Sequence, residues 1–536
     1  MPGAKHVAII GGGASGLVAT KCCLEEGMEP VCFEKNDDIG GLWNFQEVVT
    51  DWKGSVYRSL ISNSSKEMMC FSDFPFPEDY PTFMHHSKVL QYLRLYAQNF
   101  GLMKYIRLKT DVLTVERNQD FSSTGQWDVT TKDSEGNTKT AIFDAILLCT
   151  GHHCYPHMPL HSFPGIEKFK GRYTHSKMYR DLQLFEGKRV VVIGVGNTGG
   201  DLAVDISRTA KKVFLSTRSG SWVFSRITHA GYPVDMMLHN RYACLMSSIF
   251  PDPLVSSYYE RDLNDRFNHA NYGIQPNHRA LVRQPMVSDE LPTRIISGTI
   301  LMKPNVKCFS ETSAVFADGT VEEVDWVVFA TGYTVEYPFL KEEGIVDVKA
   351  SHVSLYKLMI PPQLEHSTIA VIGLIDPLMA IMPIAEIQCR WAVRVFKGLV
   401  KLPTSNGMLA DIAVREEKIA DRAGGSQKRT LKIDYIPYVD ALGEQIGCKV
   451  NMKRLFLTDP RLAFQTFFGP CSPYQFRLVG PGRWQGARDA ILTQWDRALK
   501  PARTRTLEGG GHDAPLPLVL KLLAALAMVV ALCLYF

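Results

Sequence analysis

The twelve cysteines of this 536-residue chain lack the spacing of a metal site or of a redox pair. No two are arranged as Cys-x-x-Cys, and none stands with histidines at the intervals typical of zinc ligands. The paired histidines at 85–86 and 152–153 are likewise without a carboxylate at ligand spacing. We therefore interpret the cysteines as reduced thiols in a cytosolic environment, and we expect no metal site.

The chain also lacks a strong net charge, and we expect no N-terminal signal peptide. Its formal charge is +4, with no basic run interleaved with aromatic residues, so a nucleic-acid partner is not expected. The first apolar stretch, Val7–Ile10, is shorter than the roughly 7 residues of a signal-peptide core. No catalytic triad and no pair of catalytic acids is visible. The length suggests two or three domains.

A long hydrophobic run is present at the C-terminus. Residues 516–536 contain a single charged side chain, Lys521, and roughly 20 apolar residues span a bilayer core of about 30 Å. We expect 513–536 to form a membrane anchor, although a buried helix or one lying flat on the membrane is an alternative. The basic residues that favour a cytosolic body are Lys500, Arg503 and Arg505.

Residues 6–34 have the pattern of a strand, a glycine-rich turn, a helix over 14–26 and a second strand. Such a turn brings the backbone close to a pyrophosphate, which then lies at the helix N-terminus. Glu34 falls 23 residues after Gly11, where an acid can bind the ribose hydroxyls. The unit predicts a dinucleotide site rather than a turn of no consequence. Its candidate residues in the turn are Gly11, Gly13, Ser15 and Gly16.

A further glycine pair follows the second strand. Gly40, Gly41, Leu42 and Trp43 are expected to approach another part of the same nucleotide, with an ordinary turn as the alternative.

A second unit of the same kind runs from Arg189 to Arg218, with a strand over 189–193, a helix over 198–209 and a second strand over 212–216. No acid follows its second strand, and Thr217-Arg218 stands in that position. An acid there would repel a 2′-phosphate, whereas an arginine can pair with it. We therefore predict NADP(H) rather than NAD(H), and a surface arginine is the alternative. The candidate residues in this turn are Gly194, Gly196, Asn197, Thr198 and Gly199.

Two such units predict an α/β chain with two Rossmann-like dinucleotide-binding domains. The buried strands that end in Thr-Gly at 150–151 and 331–332 are expected to mark the crossings between them. An insertion at about 219–301 should consist of irregular helices that cover the active site or face the membrane. Residues 402–431 should be a mobile connection. The predicted divisions are 1–157 and 331–445 for the first domain, 158–330 for the second with an insertion at about 219–301, 446–512 for a C-terminal region, and 513–536 for the anchor.

The segment between the two units reads Phe169-x-Gly171-x-x-x-His175-x-x-x-Tyr179. With both glycine turns it resembles the fingerprint of the class B flavoprotein monooxygenases. The whole chain resembles a flavin-containing monooxygenase of the vertebrate microsomal type. The Phe-Ala-Thr-Gly-Tyr sequence at 329–333, the segment around Asn63 and the apolar tail also fit this family.

The resemblance implies FAD at the first turn and NADPH at the second. Hydride would pass from the nicotinamide to the flavin, which would react with molecular oxygen to form a C4a-hydroperoxide. A soft nitrogen or sulfur atom of a small molecule, such as an amine, a sulfide or a xenobiotic, would take the distal oxygen. The enzyme would be anchored in the endoplasmic reticulum membrane with its catalytic body in the cytosol, and homo-oligomerisation stays open.

The resemblance also assigns roles to individual residues. Asn63 would be the active-site amide that holds the hydroperoxide and NADP, and Ser64 stands where relatives often carry threonine. Arg218 and Arg226 would contact NADP. The role of His175 stays open, and a structural support between the domains is one interpretation.

Several alternatives are carried forward. Baeyer–Villiger oxygenation of ketones is disfavoured because related enzymes usually place tryptophan where this chain has Tyr179. Asp376 replaces an amide that many relatives carry, which leaves open an uncoupled NADPH oxidase that produces hydrogen peroxide. A flavin disulfide reductase would need a redox-active cysteine pair. It is disfavoured because Cys22 and Cys23 are adjacent on a helix and cannot form a normal disulfide without distortion. A membrane-tethered nucleotide-binding protein without catalysis is the remaining alternative.

Overall fold

Two parallel five-stranded sheets form the centre of the molecule in a computed structural model that describes residues 5–342, 344–346, 348–349, 352–378, 380–423 and 431–505. In spatial order, the first sheet contains Ile369–Val371, Ala145–Leu148, His6–Ile10, Glu29–Phe33 and Ile106–Arg107. The second sheet contains Ile300–Lys303, Lys212–Ser216, Arg189–Ile193, Trp326–Phe329 and Arg172–His175. The predicted α/β class with two Rossmann-type sheets is confirmed.

The central strands of both sheets are buried on both faces. Val7, Ala8 and Ile9 have no exposed surface, and neither do Val190 and Val191. Parallel sheets need such continuous apolar strands because helices cover both of their faces. In the first sheet the helix Ala14–Glu25 packs against the long buried helix Ile381–Phe396.

The remaining strands form small sheets. Two of these are three-stranded and antiparallel: Asp111–Arg117 with Trp127–Lys132 and Thr138–Phe143, and Val306–Phe309 with Ser313–Phe316 and Val321–Glu323. The two-stranded pairs are Tyr155–Pro156 with Tyr333–Thr334, Val223–Phe224 with Met286–Val287, Val348–Lys349 with His352–Val353, and Asp376–Pro377 with Lys432–Ile433.

Helices surround the sheets. The α-helices other than those already named are Lys66–Met69, His86–Asn99, Phe121–Thr124, Asn197–Ile206, Val234–Leu238, Arg241–Ile249, Asp252–Arg266, Leu291–Ile296, Ser405–Ala423, Tyr435–Ile446, Met452–Thr458, Pro460–Phe468 and Ala487–Leu499. The 3-10 helices are Gly41–Trp43, Leu102–Tyr105, Leu160–Ser162, Ile166–Lys168, Ser176–Met178, Gln183–Phe185, Pro473–Arg477 and Lys500–Ala502.

The elements of both predicted βαβ units are confirmed, with helix ends displaced by one to three residues. The first helix ends at Glu25 rather than at residue 26, and the second covers Asn197–Ile206 rather than 198–209. In both units the two strands pair in parallel, with His6 opposite Glu29 and Arg189 opposite Lys212. Each glycine turn follows the first strand of its unit, so both turns lie at the carboxyl edge of a sheet. Ligands of open α/β sheets bind at that edge.

The prediction that 402–431 is a mobile connection is wrong for most of its length. Ser405–Ala423 is a 19-residue helix, and 424–430 lies outside the described residues. Met408 and Ile412, four residues apart, are each only 4% exposed. The high charge of this stretch concealed a narrow apolar face, which is sufficient to hold a helix against the first domain.

The insertion is helical, as predicted, with four short α-helices between Val234 and Ile296. The eleven cysteines of the described residues form no disulfide in the structure. The predicted anchor at 513–536 lies outside the described residues. Within the part of the chain that the structure describes, no helix is both long enough and apolar enough to cross a membrane.

Candidate active site

The first glycine turn is packed too closely for a side chain at Gly11 or at Gly16. A Cβ atom at Gly16 would lie 1.8 Å from the carbonyl oxygen of Gly11, and one at Gly11 would lie 2.6 Å from that of Cys149. Gly11 also has φ of +105°, which favours glycine. The backbone at the start of the helix Ala14–Glu25 is thereby left bare, so the turn fits a pyrophosphate at the helix N-terminus.

Glu34 lies against this turn. Its carboxylate accepts the backbone N–H of Gly12 at 2.6 Å and that of Asn36 at 2.8 Å, and the residue is 5% exposed. The acid predicted to bind ribose hydroxyls is therefore at the correct edge of the sheet. Ser15 faces another loop of the first domain, because a Cβ atom at Gly373 would lie 3.0 Å from its hydroxyl oxygen.

The second glycine pair is brought onto the first turn. The backbone N–H of Gly40 donates to the carbonyl oxygen of Gly12 at 3.0 Å. Gly40 and Gly41 have φ of +104° and +53° and begin the short helix Gly41–Trp43, which contains Leu42. A Cβ atom at Gly13 would touch Gly41 at 3.5 Å. The two stretches predicted to bind one nucleotide are thus adjacent.

The second glycine turn repeats this geometry. A Cβ atom at Gly199 would lie 2.0 Å from the carbonyl oxygen of Gly194, and one at Gly194 would lie 2.4 Å from that of Ala330. Gly196 has open space on its side-chain face, and Asn197 and Thr198 open the helix Asn197–Ile206. This turn fits a second dinucleotide for the same reasons as the first.

Two arginines, Arg218 and Arg283, lie near the end of the following strand Lys212–Ser216. Arg218 is exposed, and no group in the described part of the chain bonds to its guanidinium. Thr217 accepts the N–H of Gly220 at 3.0 Å through its hydroxyl. Arg283 donates to the Ser219 hydroxyl at 3.1 Å. Sequence reasoning missed Arg283 because it lies in the aperiodic insertion, far from the strand that it approaches in space.

Asn63 is bonded to an arginine of the insertion. Arg226 donates from Nη2 to Asn63 Oδ1 at 2.7 Å and from Nε to the carbonyl oxygen of Ser62 at 3.2 Å. Ser64, the other candidate, is half-buried and accepts the Ser62 hydroxyl through its carbonyl oxygen at 3.1 Å. Two residues expected at the active site, Asn63 and Arg226, are therefore in contact, while the expected contact of Arg226 with NADP stays a prediction.

Two acids near Asn63 were not found from the sequence. Asp289 bonds to Arg226, and Asp235 accepts the backbone N–H of Ser65 at 2.7 Å and its hydroxyl at 3.0 Å. Burial raises the pKa of Asp235 to about 6. Neither acid belongs to a motif with a recognisable spacing, so only the tertiary structure identifies them.

The fingerprint residue His175 joins two parts of the fold. Its Nδ1 accepts the N–H of Lys177 at 3.1 Å, so Nε2 carries the proton and donates to the carbonyl oxygen of Gly332 at 2.9 Å. Burial lowers the pKa of His175 to about 4, which keeps the imidazole neutral. The structural interpretation of this residue agrees with these contacts.

The other fingerprint residues are also packing or bonding positions. Phe169 belongs to a buried cluster with Phe309, and a Cβ atom at Gly171 would lie 2.6 Å from the carbonyl oxygen of Asp325. Tyr179 donates its hydroxyl to Asp205 at 2.7 Å, in the helix that follows the second turn. The fingerprint therefore fixes the second sheet and its helix together.

That helix is also tied to the chain just before Asn63. Tyr57 donates to Asp201 at 2.5 Å, and Ser59 donates to Asp205 at 2.6 Å. Burial raises the pKa of Asp201 to about 6, and the Tyr57 hydroxyl has a pKa raised well above its ordinary value because it too is buried. The segment carrying Asn63 thus lies against the nucleotide helix of the second sheet.

Histidines do not form a metal centre in the described residues. No group of three or more histidine, cysteine, aspartate or glutamate side chains in those ranges is placed to hold an ion. Burial lowers the pKa of His152 to about 3 and that of His153 to about 4. His85 bonds to the Ser87 hydroxyl and to the carbonyl oxygen of Arg58.

Comparison with known proteins agrees with this geometry. The family described as flavin-binding monooxygenase-like matches residues 4–536. This chain belongs to that family. A flavin-containing monooxygenase 5 of Cavia porcellus is 54% identical over 505 residues, covering 94% of both chains. A dimethylaniline monooxygenase [N-oxide-forming] 2 of Mus musculus is 51% identical over 529 residues, covering 98% of both.

Solved structures of other monooxygenases have the same fold. An S-allyl-L-cysteine S-oxygenase from Allium sativum is 25% identical, with a TM-score of 0.65 over 93% of this chain and 99% of that one. An open form of cyclohexanone monooxygenase is 16% identical, with a TM-score of 0.58 over 82% of this chain and 97% of that one, and shows the fold alone. This chain is therefore an FAD-dependent monooxygenase that uses NADPH.

Proposed function

We propose that this monooxygenase oxygenates soft nitrogen or sulfur atoms of small molecules, using FAD bound at the first glycine turn and NADPH at the second. The observation that carries this proposal is the position of Asn63, an uncharged amide. Its side chain is bonded to Arg226 of the insertion, and the segment just before it is bonded to the nucleotide helix of the second sheet. Relatives that are about half identical along nearly the whole chain include an N-oxide-forming enzyme.

Bound FAD, once reduced by NADPH, supplies the reaction of oxygen with the substrate. The protein's own residues bind and orient the reactants. We assign the pyrophosphates to the two bare turns and one pair of ribose hydroxyls to Glu34. We assign the 2′-phosphate to Arg218, whose guanidinium has no partner within the described ranges.

We propose that Asn63 hydrogen-bonds to the reacting oxygen and to the nicotinamide. Its carboxamide offers a donor and an acceptor without a charge, so it can hold a polar group without pulling a proton from it. Ser64 is assigned a secondary contact beside it. The division into nucleotide domains at 1–157, 158–330 and 331–445, with a C-terminal region at 446–512, is proposed from the same turns.

Membrane attachment is proposed on sequence grounds. The apolar run 516–536 has the length of a bilayer span, and the basic residues before it favour a cytosolic body. We therefore propose a C-terminal anchor in the endoplasmic reticulum membrane. Removal of residues 513–536 should release the enzyme from microsomes in carbonate-free buffer, and a truncated chain that stays in the membrane fraction would contradict the proposal.

The substrate class is tested by product analysis. Purified enzyme with NADPH and oxygen is given a thioether, a tertiary amine and a cyclic ketone side by side. We expect sulfoxide and N-oxide, with little ester. Ester from the ketone without sulfoxide would favour the Baeyer–Villiger alternative, and NADPH consumption matched by hydrogen peroxide in all three would favour the uncoupled oxidase.

A further inference from the structure

The guanidinium of Arg226 determines which way the Asn63 carboxamide points. Nη2 of Arg226 lies 2.7 Å from Asn63 Oδ1. Because a guanidinium only donates, the amide oxygen must face it, and the opposite rotamer would place two sets of N–H groups together. Within the ranges that the structure describes, no group accepts from Nδ2 of Asn63, so its two N–H bonds are left for a bound ligand.

Asp289 in turn holds Arg226. Its Oδ2 lies 3.0 Å from Nη1 of Arg226, and its Oδ1 accepts the backbone N–H of the same residue at 3.1 Å. The Ser225 hydroxyl donates to Oδ1 at 2.5 Å. Arg266 lies 3.6 Å from the same oxygen. These bonds lower the pKa of the Asp289 carboxyl although its partial burial acts in the opposite direction.

The backbone brings Arg226 and Asp289 together. The short strands Val223–Phe224 and Met286–Val287 are paired in parallel, and each residue follows its strand by two positions. The N–H of Val287 also donates to the Asn197 side chain at 2.8 Å, which links this pair of strands to the second glycine turn. The salt bridge between Arg226 and Asp289 is therefore connected to the second glycine turn through the backbone and to Asn63 through the Arg226 guanidinium.

A second contact holds the same segment from the other side. The N–H of Val234 donates to the carbonyl oxygen of Arg226 at 2.9 Å, which closes the loop between Arg226 and the helix Val234–Leu238 that contains Asp235. Asp235 binds Ser65, two residues after Asn63, and Arg226 binds the carbonyl oxygen of Ser62. The insertion thus holds the chain on both sides of Asn63.

We propose that Asp289 is a positioning residue for the oxygenation reaction. By holding the Arg226 guanidinium it keeps the Asn63 carboxamide oxygen engaged and leaves the amide N–H groups available to the bound cofactors and oxygen. This inference rests on the proposed role of Asn63, although not on the proposed class of substrate. Asp289 touches no reacting atom and acts only through Arg226.

The experiment measures hydrogen peroxide released by holoenzyme with NADPH and oxygen in the absence of substrate, together with the rate of flavin reduction under nitrogen. In Asp289→Asn we expect peroxide release to rise about 10-fold, within the range that small misplacement of a positioned group costs. FAD content should stay close to that of the wild type, and peroxide release is compared relative to the rate of flavin reduction, because Arg226 and Asn63 are also predicted to contact NADP. The matched control is Glu290→Gln, an exposed neighbouring acid that pairs with Arg208 and Arg294.

A double-mutant cycle separates positioning from a general structural role. In an Arg226→Met background, Asp289→Asn should add nothing further to peroxide release, since its effect passes through Arg226. Equal effects in both backgrounds, or unchanged release in Asp289→Asn, would overturn the proposal. Ser225→Ala removes one donor to Asp289 and should raise release in the same direction by a smaller factor. If Asp289→Asn is recovered without FAD, Ser225→Ala becomes the deciding variant, and unchanged peroxide release in Ser225→Ala would contradict the proposal.

The proposed function and this inference fail separately. A wild-type enzyme that forms no sulfoxide or N-oxide would refute the substrate class, while the peroxide measurement needs no substrate. An Asn63→Ala variant with wild-type peroxide release would instead remove the basis for positioning by Asp289.

Discussion

His175 donates a hydrogen bond from Nε2 to the carbonyl oxygen of Gly332 across 157 residues of chain, at 2.9 Å. His175 is the last residue of the strand Arg172–His175, and Gly332 follows the neighbouring strand Trp326–Phe329 of the second sheet. The bond joins the fingerprint to the turn where the chain leaves the second sheet.

The neutral state of His175 predicts a stability that depends on pH. Its pKa is about 4 in the fold and 6.5 in an ordinary environment. Below pH 6.5 the unfolded chain binds a proton that the folded imidazole does not, so this contribution is present above that pH and is lost as the pH falls towards 4. When the pH is lowered from about 7.5 to about 5.5, the free energy of unfolding should therefore fall by about 1 kcal/mol less in His175→Gln than in the wild type.

Thermal unfolding at the two pH values measures this difference as a change in Tm. His161→Gln, at an exposed histidine, is the control and should keep the wild-type pH dependence. A His175→Gln variant with the same pH dependence as the wild type would show that His175 is not held neutral.

A buried ion cluster is expected to hold the C-terminal region on the first domain. Arg477 lies 2.8 Å from Glu386 and 3.1 Å from Asp73, and Arg477 and Glu386 are each 1% exposed. Loss of one partner leaves a buried charge without compensation, so Arg477→Met should cost about 3–5 kcal/mol. Lys170→Met, at the exposed pair with Glu311, should leave Tm almost unchanged.

Tm and the yield of FAD-loaded enzyme check this prediction. The double variant Arg477→Met with Glu386→Gln should recover part of the loss, because it removes the uncompensated carboxylate as well. Arg477→Met with wild-type Tm would mean that water reaches the cluster.

The two glycine turns predict reciprocal defects. Gly16→Ala places a Cβ atom 1.8 Å from a backbone oxygen of the first turn, and Gly199→Ala places one 2.0 Å from an oxygen of the second. We expect Gly16→Ala to lose FAD. Gly199→Ala should keep FAD, be reduced by dithionite and resist reduction by NADPH. Each variant is the control for the other, and equal losses of both functions would contradict the assignment of one nucleotide to each turn.

Arg218 is expected to provide most of the preference for NADPH over NADH. Loss of a charge-assisted contact of about 1.5–3 kcal/mol corresponds to roughly 10–100-fold in kcat/KM with NADPH for Arg218→Ala. The rate with NADH should hardly change, because NADH lacks the 2′-phosphate. Arg283→Ala should lower the preference further if its guanidinium also reaches that phosphate, and steady-state kinetics with both nucleotides measures each effect. Unchanged preference in Arg218→Ala would contradict the assignment.

Elements with strong local patterns were predictable. The strand Lys212–Ser216 has the predicted bounds, and Gly11 and Gly194 lie at turns because strand, glycines and helix follow in register. The helix Ser405–Ala423 was missed because its apolar face is narrow and most of its side chains are charged or exposed. Hydrophobic periodicity identifies a helix or strand only when enough of its residues are apolar and buried to form a regular pattern.

The two nucleotide units, the preference for a 2′-phosphate and the resemblance that names the family could be predicted from the sequence, because each depends on residues close together in the chain. The surroundings of Asn63 became visible only in the folded protein. Arg226 and Asp289 lie 163 and 226 residues beyond it, and no local pattern records their approach. Long-range contacts of this kind arise from how the sheets and the insertion pack, which spacing along the chain does not encode.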